Sequence, residues 1–131
     1  MMIVNPSFLV HVSSEESKNR FPGNSSVEFT VELKEPLTGN FLVALDELVC
    51  NDFSGEQIII FSDIVEPYQV YNTLSPALRV LRKPGSVQNL QFLKLSRSVI
   101  QRIRFWITDN KFNLPATNLG EVSFSLRFLP Y

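Results

Sequence analysis

Apolar and polar residues alternate with a period of two in segment after segment of this chain, and no stretch holds a helical spacing for long. Val27, Phe29, Val31 and Leu33 alternate with Glu28, Thr30, Glu32 and Lys34, and near the other end Val122, Phe124, Leu126 and Phe128 alternate with Ser123, Ser125 and Arg127. Because successive side chains of an extended strand point to opposite sides, each segment has one dry face and one wet face. A chain built this way must lay strands into sheets and press their dry faces together. With 131 residues there is enough chain for one such domain, spanning 1–131, and 11 phenylalanines supply rings to fill the space between two layers.

Eight strands are expected, over Phe8 to Ser13, Val27 to Leu33, Phe41 to Val49, Gln57 to Ile64, Leu78 to Leu81, Leu90 to Leu95, Ile100 to Thr108 and Val122 to Leu129. Eight antiparallel strands in two layers suggest a β-sandwich of the single jelly-roll kind. Turn-rich stretches separate them: Ser13 to Ser26, Thr38-Gly39-Asn40, Asn51 to Gly55, Pro67 to Pro76, Pro84-Gly85-Ser86 and Asp109 to Gly120. Short helical turns fit only around Thr73 to Ala77 or Arg97 to Ile100. The segments Phe41 to Val49 and Gln57 to Ile64 are apolar on both faces, as Leu42 to Leu45 and Ile58 to Phe61 show, so each is expected to be central or covered by something, a partner subunit included.

Charge is unevenly distributed. Residues 1–66 hold 11 acids and 3 bases, a net −8, and residues 67–131 hold 9 bases and 2 acids, a net +7. The bases Arg79, Arg82, Lys83, Lys94, Arg97, Arg102, Arg104 and Arg127 are scattered over strands and loops without an aromatic and basic nucleic-acid motif, which argues against DNA or RNA as a partner. Two readings remain: acidic and basic strands become neighbours within the sheets, or opposite flanks attract identical copies into a closed ring.

Motifs for chemistry are missing. There is no nucleophile elbow, phosphate-cradling glycine loop, His-Glu-x-x-His or cysteine pair, and no Asp-x-Asp-x-Asp-Gly calcium loop. Catalysis, metal and cofactor binding are therefore not expected. Cys50 ends an apolar strand and reads as a small buried thiol, while His11, off the apolar parity of Phe8, Val10 and Val12, reads as a surface residue. No apolar run approaches the roughly 20 residues of a membrane helix, and Met1 to Val12 does not look like a secretory signal. Asn24-Ser25-Ser26 is a glycosylation sequon that matters only in a secreted protein. On the strand Ile100 to Thr108, Ile103, Phe105 and Ile107 share one parity and Arg102, Arg104 and Trp106 the other. A lone exposed tryptophan beside two arginines suggests a subunit interface, and Asp63 and Glu66 ahead of the Pro67 loop are candidates for its acidic side. The alternative is that Trp106 stacks on the arginines of its own sheet or lies under a loop.

Several blocks resemble a known family. These are Phe8-Leu-Val-His-Val-Ser-Ser, the run from Phe21-Pro-Gly-Asn to Phe41-Leu-Val-Ala-Leu-Asp-Glu, Asp63-Ile-Val-Glu-Pro, Leu74-Ser-Pro-Ala-Leu-Arg-Val, and Ile103-Arg-Phe-Trp-Ile-Thr-Asp-Asn through Gly120-Glu-Val-Ser-Phe-Ser-Leu-Arg-Phe. Together they are similar to virion structural proteins encoded by Polinton or Maverick elements and adintovirus-like viruses, also integrated in animal genomes. The resemblance implies a penton-type single jelly-roll capsid protein, assembled inside the host cell as a homo-oligomer, a pentamer at the vertex, beside a double jelly-roll major capsid protein. The family's usual glycine is missing from Tyr68 to Leu74, and 131 residues leave little room for an added receptor-binding domain. A different class also fits: a fibre-head or lectin-like module gripping a host receptor or glycan through the loops Ser13 to Ser26 and Asp109 to Gly120. A hydrolase using Cys50 or paired carboxylates is a third class.

Overall fold

In the computed structural model, residues 7–50, 57–82, 85–87, 89–109 and 120–131 are described. They form β1 (Phe8–Ser13), β2 (Glu28–Thr38), β3 (Phe41–Cys50), β4 (Ile58–Ser62), β5 (Tyr68–Val70), β6 (Thr73–Ser75), β7 (Ala77–Leu81), β8 (Gly85–Ser86), β9 (Leu93–Lys94), β10 (Val99–Asp109) and β11 (Val122–Pro130), with no helix among the described residues. One sheet runs β1-β11-β3-β8, with β9 also on β3, and the other runs β2-β10-β4-β7. Strands β8 and β9 are two short pieces along the same edge of β3, and β5 and β6 pair only with each other. Setting that hairpin aside leaves the order of an eight-stranded jelly roll, in which the first strand pairs with the last, the second with the last but one, and so inward.

The count is thus eleven and not eight, for two local reasons. Gly85 and Ser86, expected within a turn, pair with Leu48 and Glu47 as a short strand of their own, ahead of the stretch expected from Leu90 to Leu95, which pairs with β3 only at Leu93 and Lys94. The Pro67 to Pro76 stretch, expected to be a loop with a helical turn at Thr73, is instead the β5–β6 hairpin, because Tyr71 and Asn72 close a two-residue loop between Val70 and Thr73. Tyr71 holds that turn with φ 53, a left-handed conformation that glycine adopts more readily.

Every pairing in the two main sheets is antiparallel and joins a strand from residues 1–66 to one from residues 67–131. The two dry faces meet on aromatic rings. Phe29 and Phe105 from one sheet close on Phe124 from the other, with ring centroids 5.6 and 5.2 Å apart, and Phe8, Phe41 and Phe128 form a second group at the other end of the core. Two bulges tune the facing. In β3, Leu45 opposes Leu126 and Glu47 opposes Ser125, so Asp46 is the extra residue and the buried positions switch from Val43 and Leu45 to Leu48. In β10 a shift between Ile100 and Arg102 does the same for Ile100 and Ile103.

Strand β4 is buried on both faces, as its sequence requires. Ile58 and Ile60 enter the main core, whereas Ile59 and Phe61 join Val70, Ala77, Tyr68, Val80 and Trp106 in a second, smaller core on the outer side of the sheet. The cover over this outer face comes from the chain's own β5–β6 hairpin.

Candidate subunit interface

The outer face of the β2-β10-β4-β7 sheet gathers four of the five residues singled out above. Alternation along β10 puts Arg102, Arg104 and Trp106 on this face, and the register sets Arg102 opposite Glu32 and Trp106 opposite both Glu28 and Phe61. Asp63, just past β4, extends the pairing: its carboxylate accepts the Arg104 backbone N–H at 2.9 Å, and its own N–H donates to the Arg104 carbonyl. Glu66 lies apart, with its N–H donated to the Lys94 carbonyl. It borders a shallow depression lined by Pro67, Tyr68, Phe92, Leu93 and Lys94.

Four cations of this face have an acid within their own chain. Arg104 binds Glu28, Arg102 and Arg20 both reach Glu32, and Arg97 reaches Asp63 while donating to the Arg102 carbonyl at 2.7 Å. Arg20 and Arg102 also flank the Phe21 ring, with guanidinium carbons 5.8 and 5.7 Å from its centre. On the opposite sheet Arg127 binds Asp46, the bulged residue, at 2.9 Å. Four of these pairs, those of Arg97, Arg102, Arg104 and Arg127, join the −8 half to the +7 half. Exposed pairs of this kind are each worth only about 0.2–1 kcal/mol, so their main effect is on register and on the surface field.

Trp106 is half-buried, with its ring stacked on Phe61 at 5.4 Å and 8° and the Arg104 guanidinium 4.9 Å above its centre. It closes the second core's margin; it is not a bare anchor. The most exposed apolar group of this face is Leu74 on the hairpin, 74% exposed and paired with Gln69, with Tyr71 at the turn beside it and Val99 at the start of β10 also exposed. On the side turned to the sheet, Val70 is buried and the Tyr68 hydroxyl donates to the Ala77 carbonyl at 2.9 Å. Burial pushes the Tyr68 phenol above its ordinary value, partly opposed by the charge of Arg79. Sequence reasoning missed Arg97 and Leu74. Arg97 acts through a turn whose geometry has no periodic signal, and Leu74 sat in a stretch read as loop.

Other expected positions fall as follows. His11 is exposed, with Nδ1 2.8 Å from the Ser125 hydroxyl, and Cys50 is half-buried against the main core. Among the described residues no three His, Cys, Asp or Glu side chains cluster as a metal site would need. Of the two loops considered for receptor or glycan binding, residues 110–119 lie outside the described residues. The loop from Ser13 to Ser26 is pinned: the Asn24 side chain bonds both the N–H and the carbonyl of Thr30 at 2.9 Å. Compared with protein-family models and with curated proteins, the chain finds no match.

Proposed function

We propose that this chain is a structural subunit of a viral shell, a penton-type jelly roll that assembles with copies of itself and stands beside a double jelly-roll major capsid protein. The observation that carries the reading is the jelly-roll order itself, a five-stranded and a four-stranded layer around a phenylalanine core. The surface supports the same reading. Arg102, Arg104 and Arg127 are each matched by an acid within the chain, which lowers the field that subunits of one kind present to each other. In this proposal Trp106, Arg102, Arg104 and Asp63 form the polar margin of a contact whose apolar centre is Tyr71 and Leu74, and Glu66 belongs to the neighbouring flank. A hydrophobic centre inside a polar rim is the usual anatomy of a protein interface.

Native mass spectrometry of the purified chain tests the proposal, with five copies expected and a monomer at all concentrations refuting it. Charge reversal of Arg102 and Arg104 is a poor probe, because each new carboxylate would face Glu32 or Glu28 inside the same chain. Leu74→Glu is the cleaner variant. It touches nothing in the hairpin's buried side and is expected to shift the population to monomers with the fold unchanged.

A further inference from the structure

The two main sheets have four margins, on β2, on β7, on β1 and on the short β8 and β9, and three of them carry features that interrupt pairing with a further strand. On β2 the Asn24 amide occupies the outward N–H and carbonyl of Thr30, and Ser25 does the same for Glu28. Farther along that strand Lys34, Glu35 and Pro36 deter pairing with another strand. Beside β3 the margin is broken into β8 and β9, two residues each, and the Lys94 carbonyl of β9 already accepts the Glu66 N–H. On β7 the Tyr68 hydroxyl holds the Ala77 carbonyl, and the register shifts beside it.

The fourth edge, β1, has none of these devices. Its pairing with β11 is regular from Phe8 to Ser13, and its sequence FLVHVS contains no lysine, acid or proline. Because the Ser14 N–H donates to the Val122 carbonyl in this register, alternation turns the N–H and carbonyl groups of Val10 and Val12 towards β11. Those of Leu9 and His11 point away from the sheet, and no described residue takes them up. Ser13 also points outward, but its carbonyl already accepts the Glu16 N–H.

We propose that β1 pairs antiparallel with β1 of a second copy, on a twofold axis through Val10. This register sets Leu9 of each copy opposite His11 of the other, so all the open groups of both residues are exchanged and the spent Ser13 carbonyl is not needed. A register one pair farther along would face Leu9 with Ser13 and leave a group unmatched. The side chains agree with the choice. Phe8 and Val10 are half-buried at the margin of the main core, and Phe8 of one copy meets Val12 of the other on the interior side, which continues the apolar layer across the axis. The pairing strand is its own complement, which favours a second copy over a charged foreign peptide. The inference does not rest on the ring: free subunits would form dimers, and rings would join in pairs.

The test is amide hydrogen exchange read by NMR together with native mass, each over a range of protein concentration. The Leu9 and His11 amides are expected to gain protection as concentration rises, in step with a doubling of mass, while Val10 and Val12 stay protected throughout by β11. His11→Pro removes an N–H that β11 does not use, so β1 should keep its place while pairing weakens roughly 30-fold, from two lost backbone bonds per pair. Circular dichroism checks that the variant is folded; if it is not, methylation of the Leu9 backbone nitrogen in semisynthetic protein serves instead. Free exchange at Leu9 and His11 in a doubled species, or a blocked variant that still doubles, overturns the proposal. A doubled mass without five-membered rings refutes the proposed shell role and leaves this pairing standing.

Discussion

If the β5–β6 hairpin is held by the second core and displays its other side, Val70→Ala and Leu74→Ala, four residues apart, should behave in opposite ways. Val70 is 8% exposed and packs with Ile59, Phe61 and Ala77, and Leu74 is 74% exposed. Removing two buried methyl groups forfeits about 0.8 kcal/mol each, and incomplete collapse of the site adds to the loss, giving roughly 1.5–2.5 kcal/mol for Val70→Ala. At this chain length that lowers the melting temperature by roughly 5–10 °C. Leu74→Ala gives up little in the monomer and should stay within about 0.5 kcal/mol of the parent. The assay is built in: Trp106 is the sole tryptophan and stacks on Phe61 beneath this hairpin, so its fluorescence follows the second core during urea unfolding. Equal losses for the two variants would refute the placement of the hairpin. So would a fluorescence transition at much lower urea than the circular dichroism transition in the parent, because it would separate the hairpin from the sandwich.

Asn24→Ala strips both bonds from Thr30 and should cost about 1–3 kcal/mol in urea unfolding, with light scattering showing more aggregation as the β2 edge opens. Tyr71→Gly relieves the left-handed turn and should stabilise by up to about 1 kcal/mol in thermal unfolding; a clear loss would mean that the ring's bond from Gln57 outweighs the strain. The raised Tyr68 phenol contributes stability that is complete below the ordinary tyrosine value of about 10 and is lost as pH climbs through the folded value. Tyr68→Phe should accordingly be weaker than the parent at neutral pH, for want of the bond to Ala77, and should lack that tyrosine's share of the alkaline loss.

Much of the sandwich could be read in the residues because alternation is a direct imprint of a half-buried strand: β1, β2, β10 and β11 fall where the pattern puts them. The interruptions were legible only in part. Val43, Leu45 and Leu48 break parity in a way that encodes the bulge at Asp46, yet the same break fits a strand that simply ends. The hairpin escaped because Pro67, Asn72 and Pro76 carry loop signals, and because three-residue strands are too short for a period to show. Trp106 was placed on the correct face, but whether it was bare depended on Phe61 and Arg104, and Phe61 comes from a strand 45 positions earlier. For the same reason the charge segregation was visible and its resolution was not: Glu28 and Arg104 are 76 positions apart.

The antiparallel marriage of the two halves has a consequence for synthesis on the ribosome. None of β1 to β4 can find its neighbour in the main sheets until residues beyond 66 follow, and β1 must wait for β11, more than 100 residues later. Such distant partners make for slow folding and a prolonged exposure of half-finished sheets. The −8 carried by the first 66 residues disfavours close contact between half-made chains during that wait, and the cations that arrive with the second half remove this net charge as each chain closes on itself.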